Sequence, residues 1–200
     1  MGPASQTADG WKARLRWDLR QEDGNTQIFR LHKGDYQFRD PDPKTAIPGR
    51  IEAYTPSLTV PEGGWREWEG TYTFVKPHSA CIFQMFHTGG LWAFHLGVTD
   101  DGTICFNRRR SMKGKPDSVT LGEKMIGKPL SIKVRSNGFD FEVYKKRPLI
   151  DADWQLVADG NYQKATDGKV QFRWGNYLGR TKGEPVRNDT LFFVSGTTIR

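Results

Sequence analysis

The 200-residue chain lacks several features that would define its class at once. It has two Cys and four His, too few for a disulfide-stapled scaffold and too scattered for a zinc cluster. No apolar run approaches the ~20 residues that a membrane helix needs. The sequence shows no Gly-rich phosphate loop and no RNP, KH or helix-turn-helix signature. These absences exclude a membrane-spanning protein and leave no basis for a zinc site or a nucleotide site.

What the chain does have is positive charge and aromatic residues. Lys and Arg number 30 against 23 for Asp and Glu, which gives a net charge of +7. Seven Trp residues and a 12% aromatic content argue against disorder, because disordered chains lack apolar surface to bury. The basic runs at 108–110 and 145–147 are short and are interpreted as solvated turns. A basic surface favours a polyanion, whether nucleic acid, anionic lipid or an acidic polysaccharide, and charge alone does not choose among them.

The apolar residues alternate with polar ones instead of recurring every three or four positions, which predicts strands rather than helices. Short turn sequences, such as Asn137-Gly138, separate the alternating runs. The pattern predicts an all-β fold. We expect a β-jelly-roll sandwich (concanavalin A-like) of two antiparallel sheets with a concave basic groove. Residues 11–200 form one domain in this prediction, and residues 1–10 form a disordered tail.

Alternation also assigns side chains to faces, because neighbouring strand residues point to opposite sides. This parity places His95 and the polar members of two further strands on one face. We expect that face to line the groove and bind substrate through Asn107, Arg109, Lys133 and Arg135. The same parity turns Cys81 toward the core and Cys105 away from it, which argues against a disulfide between them.

Three short motifs stand out within this all-β, basic chain: Arg50-Ile51-Glu52, Gln84-Met85-Phe86 and Phe172-Arg173-Trp174-Gly175-Asn176-Tyr177. In their order and spacing the chain resembles the jelly-roll polysaccharide lyases. These include the family 7 alginate lyases and the related glucuronan and heparin lyase-type sandwiches. Their motifs are R-x-E, then Q-x-H, then F-K-x-G-x-Y. The resemblance covers residues 34–200, with Phe86 in place of the family His and Arg173 in place of Lys.

The resemblance implies a lyase that removes the proton beside a uronate carboxylate and expels the glycosidic oxygen. Arg50 and Gln84 would neutralise the carboxylate, which stabilises the enolate-like intermediate. Tyr177 would serve as base, acid or both. Glu52 would position Arg50, because an ion-paired carboxylate is a poor base.

The Phe86 departure removes the second base that the family motif supplies. His95 lies on the neighbouring predicted strand and on the groove face, so it is the candidate replacement. Arg173 would add a further cation for the substrate. No cofactor is required in this reading, although a structural calcium ion is compatible with it.

The sequence therefore predicts a polysaccharide lyase that cleaves a uronate-containing polymer of the glucuronan or alginate type. A non-catalytic module that binds acidic polysaccharide on the same fold is the alternative. A glycoside hydrolase is not favoured, because it needs two facing carboxylates and no acidic cluster of that kind occurs on a predicted strand. We expect a secreted monomer whose signal peptide is not part of this sequence. Its expected partner is an anionic polysaccharide, with no nucleic acid and no membrane.

Overall fold

The computed structural model describes residues 16–20, 25–34, 36–37, 47–48, 50–87, 91–109, 113–161, 168–178 and 186–200. The predicted tail at 1–10 lies outside these ranges, so it stays a prediction, as does the single-domain organisation. Within these ranges no helix is long and apolar enough to cross a membrane. The strands are β1 (Arg16–Arg20), β2 (Thr26–Leu31), β3 (Tyr36–Gln37), β4 (Ile47–Pro48), β5 (Arg50–Tyr54), β6 (Leu58–Thr59), β7 (Arg66–Lys76), β8 (Ala80–His87), β9 (Leu91–Val98), β10 (Ile104–Arg108), β11 (Ser118–Gly122), β12 (Leu130–Ser136), β13 (Asp140–Lys146), β14 (Gln155–Asn161), β15 (Lys169–Tyr177) and β16 (Thr190–Ile199).

The strands form two large sheets, and this confirms the predicted all-β jelly-roll sandwich. The groove sheet has the order β11-β10-β9-β8-β15-β5, with β6 also pairing with β15. The back sheet has the order β1-β2-β16-β7-β12-β13-β14. Strands β3 and β4 form a separate two-stranded pair. Strands distant in sequence are neighbours in both sheets, so every candidate site residue depends on long-range pairing.

The core lies between the two sheets and is built mainly from aromatic side chains. In β7 the alternating residues Trp68, Tyr72 and Phe74 are fully buried, as the period-2 pattern predicts. The Trp68 ring contacts Phe83 from the groove sheet, with ring centroids 4.7 Å apart. Burying one such aromatic side chain contributes about 1.5–3 kcal/mol. This aromatic layer holds the groove sheet against the back sheet.

The Asn137-Gly138 turn joins β12 to β13 and confirms the predicted hairpin. Gly138 adopts a φ of 92°, a conformation that favours glycine. The Asn137 side-chain oxygen accepts hydrogen bonds from the backbone N–H groups of Phe139 (2.9 Å) and Asp140 (2.7 Å). The turn therefore fixes the register of β12 against β13.

Two β-bulges in β8 change the faces that strict alternation predicts for its side chains. Ile82 and Phe83 are consecutive and both are buried, and the pairing with β9 shifts register between Cys81 and Phe83. The prediction that Cys81 faces the core is therefore wrong, because the bulge turns it to the groove face beside Gly97. Cys105 pairs with Gly97 from the other side.

Both cysteines are free, as predicted, although the reason differs. They lie on the same face of the groove sheet, with strand β9 between them. Two strand spacings separate them by roughly 9–10 Å. That separation exceeds the 4.4–6.8 Å between Cα atoms that a disulfide requires.

Two glycines of the groove sheet offer a matched test of how closely its neighbouring strands pack. A Cβ added to Gly175, whose φ is 137°, would lie 2.3 Å from the Ile51 carbonyl oxygen and 2.7 Å from the Glu52 Cα. At Gly97 the nearest atom is 3.6 Å away. We expect Gly175→Ala to lower the free energy of unfolding by about 2–4 kcal/mol, from backbone strain and the clash with β5. Gly97→Ala should change it by less than about 1 kcal/mol.

Urea unfolding followed by tryptophan fluorescence measures both changes. Equal stability of the two variants would contradict the close approach of β5 to β15.

Candidate functional site

Strand β15 gathers the candidate residues, because it lies between β5 and β8 in the groove sheet. Tyr177 pairs with Arg50 of β5, and Arg173 pairs with Gln84 of β8. Gln84 in turn pairs with His95 of β9. The structure therefore brings Arg50, Gln84, Arg173 and Tyr177 of the three sequence motifs onto one face, although they are up to 127 positions apart in the chain.

At one end of this face Arg50 contacts both Glu52 and Tyr177. The Arg50 Nη1 atom lies 3.5 Å from the Glu52 Oε2 atom. The Arg50 guanidinium carbon also lies 5.6 Å from the centroid of the Tyr177 ring, in a cation–π contact. Gly175 pairs with Glu52, and a Cβ there would meet the Ile51 carbonyl oxygen and the Glu52 Cα, so the β5 backbone lies close against β15. These contacts orient the guanidinium next to the phenol.

Glu52 is an unusual carboxylate because it is buried, with 8% of its surface exposed. Burial raises the pKa of Glu52 above its ordinary 4.5, although the nearby Arg50 and Arg173 guanidinium groups act in the opposite direction. The cost of burial therefore exceeds the attraction of the two cations. A buried carboxylate next to Arg50 fits the role of positioning the Arg50 guanidinium, which the sequence analysis predicts for Glu52.

Arg173 is held in place by contacts on several sides. Its Nε and Nη2 atoms donate to the Gln171 Oε1 atom at 3.0 and 2.9 Å. The Gln171 Nε2 atom donates to the Thr55 carbonyl oxygen at 2.8 Å. The Arg173 guanidinium carbon lies 4.3 Å from the Phe86 ring centroid and 5.9 Å from that of Tyr54. Phe86, the residue that departs from the family motif, thus forms a stacking surface for Arg173.

His95 lies beside Gln84 on the groove face. Burial lowers the pKa of His95 below its ordinary 6.5, so the neutral imidazole predominates at neutral pH. The His95 ring meets the Trp92 ring edge-on, with centroids 5.2 Å apart. A neutral imidazole in a fixed orientation is suited to accept a proton.

Asn107 and Arg109 extend the face farther across the sheet. Asn107 pairs with His95, and its Oδ1 atom accepts a hydrogen bond from the Ser118 hydroxyl at 3.2 Å. The Arg109 guanidinium carbon lies 5.7 Å from the Trp92 ring centroid. Asn107 lies on β10 of the groove sheet, and Arg109 directly follows that strand.

These contacts form a row across five adjacent strands, which we call the aromatic–cation row. Its members, in the order β5, β15, β8, β9 and the end of β10, are Tyr54, Arg173, Phe86, Trp92 and Arg109. The sequence analysis singled out Phe86 as a departure from the family motif, but it missed Tyr54 and Trp92. The bulge between Met85 and Phe86, which pairs Phe86 with Trp92, has no signal in the sequence.

Lys133 and Arg135 are not part of this site, so the prediction that they line the groove is wrong. Both belong to β12 of the back sheet, where Ile132 and Val134 point into the core. Lys133 and Arg135 therefore lie on the opposite surface of the sandwich. There they stack on Trp154 and Trp65, each 4.4 Å from the ring centroid, and Arg135 also pairs with Glu142 at 3.3 Å. The parity within β12 was predicted correctly, but parity does not tell which sheet a strand joins.

Among the described residues, no three His, Cys, Asp or Glu side chains converge in a way that could hold a metal ion. The structural calcium ion stays a prediction. A cavity of about 760 Å³ lies between β11 and the end of β13, remote from the candidate site. The register of the groove sheet and the contacts between its side chains, rather than an enclosed cavity, define the candidate site.

No model of a known protein family matches the chain. No curated protein matches it either. Solved structures do match. An alginate lyase from Alteromonas sp. 272 superposes with a TM-score of 0.58 at 15% identity, covering 93% of each chain. A family 7 alginate lyase in complex with product has a TM-score of 0.64 at 10% identity, covering 98% of this chain and 92% of that one.

A third solved structure, an alginate lyase in complex with dimannuronate, has a TM-score of 0.62 at 8% identity. It covers 95% of this chain and 79% of that one. These likenesses extend over nearly the whole chain. They show that the protein has the jelly-roll fold of the polysaccharide lyases, as the sequence resemblance predicts.

The buried carboxylate of Glu52 predicts a cost to stability that depends on pH. The folded protein binds the Glu52 proton more tightly than the unfolded chain does. The cost of burying the charge is therefore fully present above the folded-state pKa, and it disappears below the unfolded value near 4.5. We expect Glu52→Gln to be at least as stable as the wild type at neutral pH, with any advantage shrinking as the pH falls toward 4.5.

Thermal unfolding over this pH range measures the effect. A variant that is less stable at neutral pH than in acid, relative to wild type, would contradict the burial cost.

Proposed function

We propose that the protein is a polysaccharide lyase that cleaves a uronate-containing polymer by β-elimination. One observation carries this proposal: Arg50, Tyr177, Gln84 and His95 lie on one face of four adjacent strands, β5, β15, β8 and β9. The solved structures that share the fold are alginate lyases. The combination of a cationic clamp, an amide donor and two proton carriers matches what elimination beside a carboxylate requires.

The chemistry explains why these groups belong together. Elimination removes the proton at C5 of the uronate, forms the C4–C5 double bond and breaks the bond from C4 to the glycosidic oxygen. That oxygen leaves with a proton. The C5 proton is acidic enough only when the neighbouring carboxylate is neutralised, because the electron pair then spreads onto the carboxylate oxygens. Arg50 and Gln84 supply donors to those oxygens at the moment when charge develops.

Tyr177 and His95 divide the proton transfers according to the stereochemistry of the sugar. In mannuronate and glucuronate the C5 proton and the C4 oxygen lie on the same face of the ring. One group, Tyr177, then suffices to take the first proton and return one to the leaving oxygen. In guluronate the two lie on opposite faces, and a second base is needed. His95 is the neutral base on the strand beside Gln84, in place of the family His that Phe86 replaces.

The aromatic–cation row is the proposed path of the polymer. Arg173 and Arg109 lie three strands apart, a separation of roughly 14 Å, which is the length of several sugar units. Their guanidinium groups would bind carboxylates along the polymer, and the rings of Phe86 and Trp92 would contact sugar faces. An alginate- or glucuronan-type polymer provides the repeated carboxylates that this spacing needs. Because such polymers are extracellular, we propose that the protein acts outside the cell.

Tyr177→Phe tests the proposed chemistry, because it removes only the hydroxyl that moves the proton. We expect it to lower the rate of unsaturated-product formation at least 100-fold on polymannuronate, measured by ultraviolet absorbance. The matched control is Lys133→Ala, which removes a cation on the opposite surface and should retain the wild-type rate.

Failure of the wild type to act on any polyuronate, with binding still detected by calorimetry, would contradict catalysis. It would favour the alternative of a binding module on the same fold.

His95→Asn tests the division of roles. We expect a loss of at least 100-fold on polyguluronate, where the second base is required, and less than tenfold on polymannuronate. The ratio of the two rates, measured on the same protein preparation, separates proton transfer from a general structural effect. Equal losses on both polymers would rule out His95 as the second base.

A further inference from the structure

We propose that the turn at residues 147–151, far from the groove, docks the protein on an anionic phospholipid bilayer. Leu149 is 88% exposed and Ile150 is 71% exposed, more than any other large hydrophobic residue among those described. Scattered apolar residues are normal on protein surfaces, but two adjacent aliphatic side chains that project at a turn tip are not. Such a pair favours an apolar partner.

The turn is held rigidly by its own hydrogen bonds. The Arg147 backbone N–H donates to the Asp151 carboxylate at 2.8 Å, and the Arg147 guanidinium donates to the same carboxylate at 2.6 Å. The backbone N–H groups of Ile150 and Asp151 both donate to the Arg147 carbonyl oxygen. The Arg147 contacts hold the pKa of Asp151 at about 2, so the pair stays charged. The aliphatic pair is thus presented to solvent by an ordered turn.

The surroundings of the turn carry an excess of positive charge. The cations of this turn and of the neighbouring 123–129 loop are Lys124, Lys128, Lys145, Lys146 and Arg147. The carboxylates are three in these segments, from Glu123, Asp151 and Asp153, and that of Asp101, which interacts with Lys124. The Lys145 and Lys146 ammonium groups donate to the carbonyl oxygens of Leu121 and Ala152, which keeps both next to the turn. Lys128 is exposed at the rim. Aliphatic side chains that insert beside basic groups are the combination that binds anionic bilayers.

The cavity of about 760 Å³ lies directly behind the turn and extends its apolar surface. Leu149 and Ile150 form part of its wall, together with Leu121, Met125 and Leu130. A second copy of the chain is a poor occupant, because its own cations would meet these cations. The acidic polymer is also a poor occupant, because the described cavity wall, in which charged and aliphatic side chains alternate, offers no aromatic ring for a sugar. A bilayer satisfies both the apolar turn and its positive rim.

The sequence analysis led us to expect no membrane partner, because neither a membrane-spanning run nor charge alone indicated one. The exposed aliphatic turn changes that expectation. The proposed docking surface shares no residue with the groove, so its test is independent of the lyase proposal.

Sedimentation with vesicles tests the proposal on the full chain. We expect binding to vesicles of phosphatidylcholine mixed with phosphatidylserine, and at least tenfold weaker binding to phosphatidylcholine alone. The double variant Leu149→Asp/Ile150→Asp should bind the mixed vesicles at least tenfold more weakly. Lys128→Glu should weaken binding about fivefold. The double variant should keep the wild-type melting temperature, because both side chains are already exposed.

The matched control is Phe139→Asp, which changes an exposed apolar residue (46%) at the opposite end of β13 and should bind as the wild type does. Absence of binding to the mixed vesicles would overturn the proposal. Undiminished binding by the double variant would also overturn it, because adsorption would then be purely electrostatic. So would a wild-type dimer in solution that the double variant disperses, since the occupant would then be a second copy.

Discussion

The pairing of β15 with β5 on one side and with β8 on the other is the constraint on which the candidate site depends. It places Tyr177 beside Arg50 and Arg173 beside Gln84, and the pairing of β8 with β9 adds His95. The pairing tolerates little change at Gly175, where any side chain would meet the β5 backbone. A one-residue slip of β15 would turn its charged side chains into the core, because strand faces alternate. The aromatic core that holds the two sheets together therefore also holds the site together.

The electrostatics of the site follow from this geometry. The Glu52 carboxylate is buried near Arg50 and Arg173. Burial raises its pKa more than the two guanidinium groups lower it, so the charged form of Glu52 destabilises the folded protein. That cost is consistent with a site built to hold Arg50 in one orientation rather than to maximise stability. Arg173 is fixed differently, by Gln171 and by stacking on Phe86. The residue that departs from the family motif is therefore part of the groove surface, and the neutral imidazole lies one strand away on His95.

Much of the fold could be predicted from the sequence, because alternation and turn residues are local signals. The β12–β13 hairpin and the faces of Ile132 and Val134 are examples. Lys133 and Arg135 show the limit: their face was predicted correctly, but sheet membership depends on which distant strands pair. Cys81 shows another limit, because one extra residue in β8 reverses its face. Phe86 and Trp92 were missed as partners for the same reason, since a bulge aligns them. The motif residues were found because the motifs themselves, rather than periodicity, carry the resemblance.

The central claim is that the groove promotes elimination at a uronate, and the mass of the products tests it most directly. Digestion of polymannuronate by the wild-type protein, followed by mass spectrometry, distinguishes elimination from hydrolysis by one molecule of water per cleavage. Our account predicts oligouronates whose new non-reducing ends are unsaturated and lack that water. Products that carry the added water, or intact polymer in the presence of demonstrated binding, would contradict it.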